Sequence, residues 1–106
     1  MITKEEGWVK GSFDIKIAYE ENLIHIEQGR IYKFFGVDMS KKSRKLYHVP
    51  TKTYFGSYDK TLKEIKYLID RLLEVNIDWA SKDNLYFQNI ENENKKQINK
   101  ITKRWI

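Results

Sequence analysis

The sequence predicts an α+β domain: an antiparallel sheet of four to five strands, one amphipathic helix packed on it, and a second helix at the C-terminus. Three observations carry that expectation. Apolar residues alternate through the first half of the chain, short turn-forming gaps separate the alternating runs, and the period then switches to that of a helix after residue 60.

From Ser12 to Tyr19, Phe13, Ile15, Ile17 and Tyr19 fall on one side and Asp14 and Lys16 on the other, the pattern of a half-buried strand. Glu20-Glu21-Asn22 reads as a turn, and Leu23 to Gln28 as a second strand carrying Leu23, Ile24 and Ile26. Gly29 reads as punctuation before a third strand, Arg30 to Val37, rich in β-forming residues. In that strand Tyr32 and Phe34 lie opposite Ile31 and Phe35. Both faces are therefore apolar, and the second face calls for cover from the C-terminal helix, a partner or nucleic acid. Ser40 to Lys45 is a polar, basic loop. Leu46 to Val49 forms a fourth strand stopped by Pro50, Thr51 to Thr53 turns the chain, and Tyr54 to Tyr58 makes a short fifth strand. Residues 1–58 are thus mainly a β-meander.

Thr61-Leu62-Lys63-Glu64 is a capping box, in which the hydroxyl and the carboxylate each satisfy the other residue's backbone N–H. Leu62, Ile65, Leu68, Ile69, Leu72 and Leu73 follow at helical spacing, so residues 61–75 form an amphipathic helix ended by Asn76. Ile77-Asp78-Trp79 reads as a short extended piece, and Leu85, Tyr86 and Phe87 as a docking segment. Residues 85–106 form a C-terminal helical region, regular from Ile90, with Ile98, Ile101 and Trp105 on one side.

A chain of 106 residues suits a single domain spanning 1–106. It has no cysteine, which excludes disulfides, thiolate metal sites and thiol nucleophiles, and favours the cytoplasm. The start lacks the apolar stretch of a signal peptide, and no run approaches the ~20 residues that span a bilayer, so no membrane partner is expected. The net charge of +5 is uneven: residues 1–40 hold five Lys/Arg against seven Asp/Glu, residues 41–106 fifteen against eight. A basic half attracts phosphates or an acidic protein face. The expected contact residues are Lys41, Lys42, Arg44 and Lys45 in the loop, and Lys95, Lys96, Lys100, Lys103 and Arg104 near the C-terminus, with Trp105 as an anchor.

Catalytic chemistry is sparse. His25 and His48 sit in strands without a second ligand at metal spacing, so cross-strand packing is their expected role. Asp14-Ile15-Lys16, with Glu27 on the neighbouring strand, has the grammar of a metal-dependent nuclease, and equally that of a wet strand face. No phosphate loop, zinc motif or nucleophile elbow occurs. The chain is therefore expected to be a non-enzymatic binder without metal or cofactor. Most of Tyr32, Phe34, Tyr47, Tyr54 and Tyr58 are expected in the core, with stacking on single-stranded bases as the alternative.

The stretch from His48 to Lys66, followed by Asp78-Trp79, resembles a strand, Pro-Thr turn, helix and Asp-Trp pattern found in small phage and mobile-element proteins of AT-rich Gram-positive bacteria. It covers about a third of the chain. Size, the missing catalytic motifs and the sheet-plus-helix plan are similar to those of small anti-CRISPR inhibitors of host defence. The resemblance implies a host effector protein as partner, for example a CRISPR-Cas nuclease; a basic nucleic-acid-binding accessory or regulatory protein is the alternative.

Overall fold

The computed structural model describes residues 7–16, 23–40 and 42–103. Five strands, β1 (Val9–Lys16), β2 (Leu23–Tyr32), β3 (Phe35–Asp38), β4 (Arg44–His48) and β5 (Thr53–Tyr58), form one antiparallel sheet in sequential order. Three helices follow: α1 (Leu62–Leu73), α2 (Asn84–Gln88) and α3 (Asn92–Lys103). The α+β architecture is the one the sequence predicts. Ile17, Tyr19 and the turn at 20–22 lie outside the described residues.

Gly29 does not end a strand. β2 runs through it to Tyr32, and the chain reverses at Lys33-Phe34, where Tyr32 pairs with Phe35 and Lys33 takes a φ of 54°. The glycine instead allows a close approach: a Cβ there would stand 2.4 Å from the Gly11 carbonyl oxygen and 2.8 Å from Phe13 Cε1. Next to it the register slips, Gly11 facing Gly29 but Phe13 facing Ile26, so β2 carries one extra residue. That bulge puts Ile26 and Ile31 on one face of the sheet and turns Tyr32 to the other.

Each face has its own core. On one, Leu62, Ile65, Leu68, Ile69 and Leu72 of α1 bury against Phe35, Val37, Leu46 and Tyr58. The capping box forms as expected, Thr61 Oγ1 accepting from the Glu64 N–H and Glu64 from the Thr61 N–H. Trp8 joins this core and donates from its indole to the Leu62 carbonyl at 3.1 Å. Tyr32 lies at its margin, its hydroxyl donating to Asp70. Burial first, and that carboxylate second, push the Tyr32 pKa up to about 12, so it stays a donor.

The second face holds Phe13, Ile15, Ile26 and Tyr47. In a flat sheet β1 and β4 would be ~14 Å apart at the usual strand spacing. Yet the rings of Phe13 and Tyr47 have centroids 5.8 Å apart, so the sheet curls around them. The Lys16 N–H donates to the Lys52 carbonyl at 2.8 Å and ties β1 to the β4–β5 turn. The cover for the second apolar face is therefore the sheet itself.

After Leu73 the helix ends at a Glu74 cap, before Asn76. Ile77-Asp78-Trp79 is not extended: the Ile77 N–H bonds to the Val75 carbonyl and the Trp79 N–H to the Ile77 carbonyl, two tight turns that swing Trp79 into the core. Of the docking segment, Phe87 packs with its ring 4.9 Å from His48, Tyr86 lies edge-on to Phe87 and accepts from the Asp78 N–H through its hydroxyl, and Leu85 is exposed. In α3 the half-buried side is Ile98 and Ile101, while Trp105 lies outside the described residues. No helix among the described residues is long and apolar enough to cross a membrane.

Candidate functional site

The amphipathic pattern that buries one side of α1 leaves Tyr67, Arg71 and Glu74 along an outer edge, with Lys60 just before its cap. α3 lies alongside with Gln97, Lys100 and Ile101 turned to that edge. Between the helices opens a cleft of about 650 Å³. Lys60, Arg71 and Lys100 bring positive charge to it, while Val75 and Ile101 give it an apolar component. Glu74 sits in the same wall and partly neutralises Arg71, the two charges 3.4 Å apart.

The sequence-predicted contact residues divide around this cleft. Lys100 lines it; Lys96 and Lys103 are exposed at the helical positions four before and three after, on the same side of α3. Lys95 is turned elsewhere and donates to the Gln88 carbonyl at 2.8 Å, holding α3 to the end of α2. Lys42 and Lys45 are exposed. Arg44 is different: its Nη1 donates to the Lys60 carbonyl at 3.0 Å and its buried Nε has no partner, so it serves as a tether. Buried Asp38 steers the chain out of β3 by accepting from the Ser40 N–H, and Ser43 and Ser57 share a hydrogen bond of 2.8 Å. The basic loop is thereby pinned beside the β5–α1 joint that carries Lys60. Lys41, Arg104 and Trp105 lie outside the described residues.

Lys60 and Arg71 were not singled out by the sequence reading. The missed signal is the spacing of 60, 67, 71 and 74 along one edge of a helix whose stripe was already legible.

Of the nuclease-like residues, Asp14 and Glu27 flank His25, and Lys16 is exposed. The His25 ring stands between two carboxylates, its Nδ1–H donating to Asp14 at 2.8 Å and its Nε2 lying 3.7 Å from Glu27. The bond to Asp14 raises the His25 pKa. Among the described residues no three His, Asp or Glu side chains converge as a metal site. His48 is buried and saturated. Its Nε2–H donates to the Trp79 carbonyl at 2.6 Å, so Nδ1 accepts from the Thr51 hydroxyl at 2.7 Å. Thr51 Oγ1 in turn accepts from the Thr53 hydroxyl at 2.7 Å. Burial lowers the His48 pKa and keeps the ring neutral. Of the strand aromatics, Tyr47 and Tyr58 are buried as expected, whereas Phe34 and Tyr54 are exposed.

Comparison of the chain with protein families, curated proteins and solved structures finds no match.

Proposed function

We propose that the chain is a non-enzymatic binding protein that holds an acidic segment of a partner protein in the cleft between α1 and α3. The observation that carries this reading is the mixed character of the cleft, with Lys60, Arg71 and Lys100 beside Val75 and Ile101, and Glu74 in the same wall. A phosphate backbone is uniformly anionic and gains nothing from Glu74 or from the apolar surface. An acidic peptide with apolar side chains meets the cations with its carboxylates and the apolar surface with its side chains, and, unlike a phosphate backbone, has main-chain N–H groups that can donate to Glu74. The resemblance to small phage-borne inhibitors supplies the partner class, a host defence nuclease of the CRISPR effector type, inhibited by protein binding.

The test adds the purified chain to a purified Cas effector nuclease and follows cleavage of target DNA. Loss of cleavage, with the chain co-eluting on the effector after nuclease treatment, supports the reading. Binding that vanishes once nucleic acid is removed favours the nucleic-acid accessory instead.

A further inference from the structure

A second, smaller cavity of about 310 Å³ lies on the other side of α3, between that helix, α2 and the β4–β5 hairpin. It falls at the lower end of the ~300–1,000 Å³ typical of small-ligand pockets. Phe55, Trp79 and Phe87 give it aromatic walls, and Asn84 and Asn99 bring carboxamides to it. Neither amide side chain has a hydrogen-bond partner among the described residues, although the polar groups around them do: His48, Thr51 and Thr53 form a closed relay, and Lys95 is bonded to Gln88.

We infer that this cavity is a binding site for a nucleobase. A carboxamide offers one donor pair and one acceptor at fixed spacing, which matches the adjacent donor and acceptor on the edge of a nucleobase. Aromatic walls suit its flat, polarisable faces. A purely apolar ligand would cover the half-buried Asn84 amide without pairing it, which disfavours it. Lys95, also lining the cavity, uses one ammonium hydrogen on the Gln88 carbonyl and has two left for a phosphate attached to the sugar. The base reaches the site either in a free nucleotide or splayed out from a single strand. This inference does not depend on the cleft between α1 and α3, which lies across α3.

The test uses the full chain, labelled with ¹⁵N, titrated with AMP, GMP, CMP and UMP, with the matching nucleosides, and with short single-stranded oligonucleotides. Saturable shifts of the Asn84 and Asn99 side-chain amides and the Trp79 indole are expected. Saturation by mononucleotides indicates the free ligand; saturation by oligonucleotides alone indicates the strand. Asn84→Ala and Asn99→Ala should each weaken binding about ten-fold. Lys95→Ala should weaken nucleotides more than nucleosides, because it removes the phosphate partner as well as the link between α3 and Gln88. Asn99→Asp, which keeps the shape but loses the donors, should change the order of preference among the bases. No saturable shift with any of these probes overturns the inference, as does binding that persists in the Asn84→Ala/Asn99→Ala double variant.

Discussion

Arg44 donates from Nη1 to the backbone carbonyl of Lys60 across 3.0 Å, joining the start of β4 to the residue that precedes the α1 cap. A cation that sequence places in a contact loop is thereby part of the frame, and the frame holds one cation of the cleft in position.

Arg44→Ala is therefore expected to lower stability by roughly 1–3 kcal/mol, the usual cost of removing one end of a charge-assisted hydrogen bond. Lys42→Ala and Lys45→Ala, on exposed side chains, should stay within about 0.5 kcal/mol. Urea denaturation of the three variants checks this. Equal effects would remove the tether from the account.

The curled sheet depends on Gly36 as well as on Gly29. A Cβ at Gly36 would lie 2.7 Å from Phe13 Cε1 and 2.8 Å from its Cζ. Gly36→Ala should cost roughly 1–3 kcal/mol by overpacking. Combining it with Phe13→Leu should cost less than the sum of the two single changes, because the smaller side chain makes room. Thermal melts of both singles and the double give the comparison.

The two histidines should oppose each other in the pH dependence of stability. His48 has its folded pKa pushed below the ordinary 6.5, chiefly by burial. The unfolded chain then binds protons more readily, so this contribution is present above pH 6.5 and is lost as the pH falls through that value toward the folded pKa. His25 has its folded pKa raised from 6.5, first by the bond to Asp14. Its contribution is complete below pH 6.5 and is lost as the pH rises through the folded pKa. His25→Asn should therefore steepen the loss of stability on acidification from pH 7 to 5.5. Histidine ring resonances followed by NMR should titrate above 6.5 for His25 and below it for His48.

Much of the fold was legible because its signals are local. The Thr61–Glu64 capping box and the stripe from Leu62 to Leu72 can be read from adjacent residues, and the strands from their alternation. What was not legible depends on long-range packing. Gly29 looks like a turn until Phe13 is seen lying against it, and the reversal at Lys33-Phe34 carries none of the usual turn residues. The turns that bury Trp79 are equally silent, and so is the break that divides the expected helical region 85–106 into α2 and α3, since the apolar residues there are too few to show a period. The candidate site was half legible: Lys100 was singled out, but its partners Lys60 and Arg71 belong to another helix edge that only the fold brings near.

The most direct measurement is capture of a protein partner from nuclease-treated bacterial lysate by the wild-type chain and by the Lys60→Glu/Lys100→Glu variant. Circular dichroism verifies that both are folded. A specific protein should be held by the wild-type chain, released by the double reversal and retained by Lys42→Glu/Lys45→Glu, whose side chains do not line the cleft. Undiminished capture by the Lys60→Glu/Lys100→Glu variant, or capture of nothing once nucleic acid is digested, would contradict the proposed function.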